Sequence, residues 1–221
     1  QATKRLRGGV MVTGMVYRHP AVLANMAATL DHTSGGRLEF GVGAAWNEDE
    51  CNAYGIELGT MTERFDRFAE GLEVIKLMLT QKQSSFNGKY FTLTDAYCEP
   101  KPIQQPMPPV LIGGGGMKRT LPLVAQYADH WNFPGNSEDP LGDLKKSVTR
   151  LKECCDEIGR DISTIRISTQ LWVDRMSEAE AIERALAYED AGVGLAIVSL
   201  PRPLNVKHIK EYPELFASVW K

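Results

Sequence analysis

Six times along the chain of 221 residues, a short run rich in β-branched and aromatic residues is followed by apolar residues at helical spacing. Strict alternation of this kind leaves few folds open, because parallel strands in one sheet must be joined by crossovers, usually helices. Residues 10–16 read as the first strand, and Pro20 then starts a helix carrying Leu23, Met26, Ala27 and Leu30. Ser34, Gly35 and Gly36 stop that helix, after which Leu38, Phe40 and Val42 alternate with Arg37, Glu39, Gly41 and Gly43 as a second strand. Thr60 and Glu63 have capping-box spacing ahead of Phe65, Phe68, Leu72, Ile75 and Leu79. The later units pair strand 110–112 with a helix over about 117–128, and strand 130–133 with a helix carrying Leu141, Leu144, Val148, Leu151, Cys155 and Ile158. Strand 165–173 then precedes helix 177–191, with Ser177 and Glu180 as a second capping box, and strand 195–200 precedes a last helix running toward Trp220.

Residues 81–109 break this rhythm. The run from Ser85 to Tyr90 predicts a small hairpin with an Asn-Gly turn, and five prolines crowd the stretch from Pro100 to Pro109. The segment reads as an excursion from one scaffold, so the expectation is a single incomplete (β/α) barrel domain over 1–221.

An open doubly wound sheet and a TIM barrel both satisfy strict alternation. The barrel is favoured because polar residues recur on one strand face, with Arg37 and Glu39 on one strand and Arg166, Ser168 and Gln170 on another. A closed barrel needs eight units. The first seven residues resemble the tail of a helix, so the expected fold is a TIM barrel lacking its first two β/α units, about 60 residues.

With 43% hydrophobic and 24% charged residues, the chain can bury a large core. Its net charge of −3 is spread along the sequence, which argues against a nucleic-acid partner. No run reaches the roughly 20 apolar residues of a membrane span, and the first residues lack a signal-peptide core, so no membrane partner and a cytoplasmic location are expected. Cys51, Cys98, Cys154 and Cys155 show no CxxC spacing and read as reduced core thiols. The four histidines have no metal-ligand spacing, so no metal is expected. A Gly-x-Ser-x-Gly elbow is absent, and no expected strand contains a lysine, which removes support for hydrolase and Schiff-base chemistry.

Three strand-to-helix junctions carry the candidate chemistry. Gly113, Gly114, Gly115 and Gly116 follow an apolar strand and lead through Met117 into a helix, where glycine backbone and the helix dipole suit a phosphate. Pro122 is tolerable there only within the first helical turn. The second junction, Gly41-Val42-Gly43-Ala44-Ala45-Trp46-Asn47, fails as a dinucleotide fingerprint because the third glycine is absent, but it sets Trp46 and Asn47 at a strand's C-terminal end. The third is Thr13-Gly14-Met15-Val16-Tyr17-Arg18-His19-Pro20, in which His19 reads as a helix cap or a packing group before a catalyst.

Taken in order, these junctions together with Ser34-Gly-Gly-Arg-Leu-Glu-Phe, Ala53-Tyr-Gly-Ile, Glu99-Pro-Lys-Pro and Pro109-Val-Leu-Ile resemble the luciferase-like monooxygenase superfamily. The resemblance runs from about Lys4 to Val198 and is strongest to the deazaflavin (coenzyme F-420)-dependent oxidoreductase branch. It implies a TIM barrel, a homodimer, and hydride transfer between a deazaflavin or FMN and a small-molecule substrate. It further implies a cofactor site at Thr13, Gly14, Met15, Trp46, Asn47, Gly113, Gly114, Gly115, Gly116 and Met117, with a non-prolyl cis peptide placed by position at Gly14-Met15. No catalytic residue carries over, because the family's substrate-contacting groups lie on the two units this chain lacks. Two departures stand out: His130-Trp131 replaces a commoner glycine-tryptophan pair, and Pro122 replaces a helix former. The competing readings are a catalytically incompetent barrel fragment completed by another chain and a phosphosugar lyase or isomerase on a similar barrel. The lyase reading lacks a carboxylate or lysine facing the glycine loop.

Overall fold

The structure, a computed structural model, describes residues 3–217 and Val219, and it divides into two compact units, 1–113 and 114–221. The continuation of the last helix to Trp220 lies outside the described residues.

In the first unit residues 3–7 form no helix, with bends at Lys4 and Arg5, where a helical tail was expected. The elements are β1 (Gly8–Gly9), β2 (Thr13–Gly14), α1 (Pro20–Ser34), β3 (Leu38–Gly43), α2 (Glu48–Ala53), α3 (Met61–Thr80), β4 (Ser84–Asn87), β5 (Thr92–Ala96) and β6 (Val110–Gly113). β1, β2 and β6 all pair with β3 in parallel.

The strand expected over residues 10–16 is instead two short pieces and a 3-10 turn at Met15–Tyr17. The register gives the reason. Gly9 faces Glu39 and Thr13 faces Val42, so four steps on one strand oppose three on the other, and the extra residue bulges out. Gly41 and Gly43 accept the bulge, since a Cβ at Gly41 would lie 1.8 Å from the Val10 carbonyl oxygen and one at Gly43 would lie 2.8 Å from Val12.

Helix α1 starts as expected at Pro20, with His19 as its cap: Nδ1 accepts from the Ala21 amide at 3.2 Å. Its Leu23, Ala24, Ala27 and Ala28 are buried and pack toward α3, which buries Phe68, Leu72, Ile75 and Met78 behind the Thr60/Glu63 capping box. The excursion is tied to these helices by polar contacts. Asp31, fully buried, accepts from the Gln104 backbone at 2.9 Å and side chain at 2.7 Å. The hairpin differs from the expected two-residue Asn-Gly turn, because Asn87 pairs with Thr92 across a four-residue loop. The Glu70 carboxylate of α3 organises that loop, accepting from the amides of Lys89, Tyr90 and Phe91 at 2.8, 2.8 and 3.2 Å.

The second unit holds α4 (Thr120–Tyr127), β7 (His130–Phe133), α5 (Pro140–Glu157), β8 (Arg166–Trp172), α6 (Glu178–Asp190), β9 (Leu195–Ser199) and α7 (Val206–Leu215). β7, β8 and β9 form a parallel run. Helix α4 begins at Thr120, three residues later than expected, which places Pro122 in its first turn, where no intrahelical partner for that amide is lost. Along α5, Leu144, Leu151 and Cys155 are buried as the spacing predicts, whereas Ile158 follows the helix end and is 55% exposed. Leu121, Trp131, Leu144, Leu151 and Leu171 are fully buried, each apolar side chain contributing roughly 1.5–3 kcal/mol.

The polar strand residues divide. Arg166 is exposed, and Glu39 pairs with Arg7, while Arg37 binds the Leu6 carbonyl at 2.6 Å. Ser168 is buried inside a hydrogen-bonded layer with His130 at 2.7 Å and Asn132 at 2.9 Å, and Gln170 reaches Asn132 at 3.4 Å. All four cysteines are buried and unbridged, and burial pushes the thiols of Cys98, Cys154 and Cys155 up. None of the described helices is long and apolar enough to cross a membrane.

Candidate functional site

In the first unit, the C-terminal ends of β3 and β6 are lined by glycine, and one side chain fills the space. Val12 lies against Gly41, Gly43 and Gly113, where added Cβ atoms would approach it to 3.2, 2.8 and 3.5 Å. The peptide bond before it, Met11-Val12, is the non-prolyl cis bond, which corrects the placement at Gly14-Met15. The bulge lies there, at residues 10–12, so the special backbone follows it upstream.

Thr13 and Gly14 pair with Val42 and Gly43, which fixes them beside that strand end. Gly14 is buried because Ala45 and the Tyr17 ring close over it; a Cβ there would come within 2.8 and 2.9 Å of them. Met15 is 1% exposed and packs on Gly71 of α3, so its side chain belongs to the core and only its backbone could reach a ligand. Ala45 holds a left-handed φ of 69°, and Arg64 donates to its carbonyl at 3.1 Å, a conformation a non-glycine residue keeps only when its surroundings enforce it.

That turn delivers Trp46 and Asn47 to different tasks. Trp46 is 81% exposed, a large aromatic surface at the strand end. Asn47 caps the short helix α2, its side-chain oxygen accepting from the Glu50 amide at 3.1 Å. A cluster that sequence reasoning missed lies beside them. The Tyr17 hydroxyl donates to the Glu50 carboxylate, and the buried Cys51 thiol sits 3.8 Å from the same hydroxyl. The hydrogen bond to Glu50, with burial second, raises the Tyr17 pKa well above its ordinary value, so the phenol stays protonated. No spacing rule joins residues 17 and 50; only the fold brings them together.

The second unit opens on the glycine loop. Gly114, at φ 119°, is held at both polar groups, its amide donating to the Asn132 carbonyl at 3.0 Å and its carbonyl accepting from the Trp131 indole at 2.7 Å. The next three amides, of Gly115, Gly116 and Met117, have no partner among the described residues. Gly115 lies tightly against the Phe133 ring and Gly116 against Thr120: Cβ atoms would approach Phe133 to 3.2 Å and Thr120 Oγ1 to 2.7 Å. Thr120, a second residue absent from the sequence reading, thus sets a hydroxyl beside the loop at the first position of α4. Its hydroxyl too has no partner among the described residues. Met117 turns its thioether toward Ser147 of α5, 3.8 Å away, and offers the loop its amide. Unpaired amides at the positive end of a helix make an anion site. Among the described residues no cluster of metal-ligating side chains occurs.

Comparison with known proteins places these features in a family. The model describing luciferase-like monooxygenases matches residues 1–215. An uncharacterized protein of Mycobacterium tuberculosis is 36% identical over 159 residues, which cover 72% of this chain and 54% of that protein. Pyrimidine monooxygenase RutA of Cronobacter turicensis is 31% identical over 147 residues, covering 66% of this chain and 38% of the enzyme. Among solved structures, an F420-dependent secondary alcohol dehydrogenase in complex with an F420-acetone adduct superposes with a TM-score of 0.69 at 27% identity, over 85% of this chain and 56% of that one. The chain therefore spans about half the length of the mycobacterial relative, and its alternating α/β fold is that of the luciferase-like TIM barrels. On these grounds the chain belongs to the luciferase-like monooxygenase family.

Proposed function

We propose that the chain is the cofactor-holding part of an oxidoreductase that transfers hydride to or from a small organic substrate, using a deazaflavin (coenzyme F-420) or FMN gripped by its phosphate. One observation carries this reading: the amides of Gly115, Gly116 and Met117 are uncommitted at the start of α4, while both polar groups of Gly114 are pinned by β7. A phosphate fits such a cradle, because it accepts several short hydrogen bonds and its charge is favoured at a helix N-terminus.

When bound, the flavin-type ring supplies the hydride chemistry itself. In the second unit the loop and Thr120 would hold the phosphate; in the first, the stretch from Val12 to Gly14, backed by the glycines of β3, is a fixed backbone surface. Deazaflavin is placed ahead of FMN because the solved relative with 27% identity is named for F420. The likeness to RutA supports the monooxygenase form of the same reading. In this proposal the protein works as a homodimer, which sedimentation velocity tests.

The test is a fluorescence titration with deazaflavin, FMN and riboflavin, the last lacking the phosphate. Phosphate capture predicts that deazaflavin or FMN binds at least about tenfold more tightly than riboflavin, and raises Tm through linkage. Affinities for both deazaflavin and FMN no higher than that for riboflavin, or no binding of any of the three, would sink the reading.

A further inference from the structure

The second unit holds a cavity of about 590 Å3 that no step above uses. It opens where β7 and β8 end, between the loop entering α5 and helix α6. Its lining reaches down to Gly135, Gln170, Trp172 and Tyr188. Gly135 is buried at φ 63°, with space for no Cβ beyond 3.0 Å from Thr169 Oγ1, so the loop can pass close over β8. Gln170 and Trp172 continue the strand face begun by Ser168, and the buried layer of His130, Ser168 and Asn132 ends on the Gln170 amide. A chain of polar groups therefore leads from the interior of the unit to this cavity.

The lining carries four carboxylates and two guanidinium groups, which differ in what already holds them. Of the lining carboxylates, Asp139 caps α5 by accepting from the Gly142 amide at 3.0 Å, and Glu180 is bound twice by Ser177 in its capping box. Glu138 and Glu183 are exposed. Arg175 and Arg184 are exposed as well, and Arg184 hydrogen-bonds Tyr188. Arg175 lies over the Trp172 ring, 5.0 Å from its centroid, and neither Arg175 nor Arg184 forms a salt bridge among the described residues. The Trp172 indole N–H is buried without a partner among the described residues, a state that costs free energy until an acceptor arrives. Tyr188, 1% exposed, closes the floor beside Arg184, its hydroxyl already hydrogen-bonded to Thr169 and Arg184, and burial raises its pKa. Two guanidinium groups and an indole N–H around one cavity match an acceptor with several oxygens and a negative charge.

We infer that this cavity binds an oxyanion, the carboxylate or phosphate group of a small organic molecule, with Arg175 and Arg184 supplying the charge and Trp172 an orienting surface. Taken as the anchoring group of the substrate, the oxyanion rests on the oxidoreductase reading above; as a binding site it stands without it.

Calorimetric titration of the full chain with succinate and with inorganic phosphate tests the site, with deazaflavin and FMN titrated in parallel. At least one of the two ions should bind wild type, change Trp172 emission in a way that W172F abolishes, and lose at least about tenfold in affinity in R175Q/R184Q. Circular dichroism and Tm of that variant report its folding, and R175K/R184K, which keeps the charge and loses the planar fork, should fall between. FMN affinity should stay unchanged in R175Q/R184Q, while G116A should weaken FMN and leave succinate binding intact. Binding of neither ion, or equal binding by wild type and R175Q/R184Q, overturns the inference. Failure of both deazaflavin and FMN with arginine-dependent ion binding preserved removes the cofactor proposal alone.

Discussion

The indole N–H of Trp131 donates to the carbonyl of Gly114 at 2.7 Å, and through that bond a fully buried strand residue sets the direction of the glycine loop. The Gly114 amide is committed to β7 as well, through Asn132, so the peptide planes on both sides of Gly114 are fixed before the loop reaches Gly115. Trp131→Phe removes the donor, keeps much of the ring, and leaves the carbonyl without that partner. Loss of a hydrogen bond of this kind costs about 0.5–1.5 kcal/mol. The expected outcome is a Tm lowered by a few degrees and a fall of about two- to tenfold in deazaflavin or FMN affinity, read by thermal denaturation and fluorescence titration. Unchanged affinity would show that the loop holds its shape without the indole.

Gly114 and Gly116 should fail for different reasons when each is replaced by alanine. At Gly114 the obstacle is backbone, since φ 119° is a conformation that L side chains rarely adopt, and strain of about 1–3 kcal/mol should appear as lost stability. At Gly116 φ is not positive, and the added Cβ instead lands 2.7 Å from Thr120 Oγ1. Gly116→Ala should therefore keep most of the wild-type Tm while displacing the hydroxyl and weakening phosphate-bearing ligands against riboflavin. Measuring Tm and the FMN-to-riboflavin affinity ratio for both variants separates the two mechanisms.

What the sequence disclosed follows the range of the interactions involved. The capping boxes at Thr60/Glu63 and Ser177/Glu180 are complete within four residues, and both form as their spacing predicts. Strand 130–133 and the buried face of α5 were legible for the same reason, since local periodicity settles which side chains turn inward. The bulge at residues 10–12 was not, because it depends on Gly41 and Gly43, some 30 residues away, admitting the Val10 carbonyl and the Val12 side chain. The contacts of Trp131 with Gly114, of Thr120 with Gly116 and of Tyr17 with Glu50 were illegible likewise: each joins partners that only the fold brings near. The glycine run itself was plain, but which of its amides remain uncommitted is a property of β7, not of the run.

Glu70 offers a test of how the hairpin is held. Its two carboxylate oxygens accept from three successive amides, and Gly88 lets the carboxylate approach, since a Cβ there would lie 2.3 Å from Oε2. Glu70→Ala leaves those amides without their acceptor, and even with partial rescue by water it should cost about 1–3 kcal/mol. Glu70→Gln keeps one acceptor oxygen and should cost less. Because the loop is local to the excursion, hydrogen exchange at Lys89, Tyr90 and Phe91 should quicken in Glu70→Ala while exchange in β7 and β8 stays slow. A uniform increase across both units would show that the hairpin unfolds only with the whole protein.

The two capping boxes also set an acid limit. Glu63 and Glu180 each accept hydrogen bonds from the backbone and side chain of the capping residue, Thr60 or Ser177, and those bonds lower both carboxyl pKa values below the ordinary 4.5. A carboxyl whose folded pKa lies below its unfolded one binds fewer protons folded than unfolded, so its stabilising contribution is complete above about 4.5 and disappears as pH falls through the lowered value. Chemical denaturation of wild type should accordingly be flat near neutrality in this respect and weaken from about pH 4.5 downward. In E63Q/E180Q these two carboxyls no longer titrate, so the variant should be less stable at neutral pH and show a shallower acid limb, the two curves converging at low pH. Parallel curves over the whole range would mean that the caps hold without the charge.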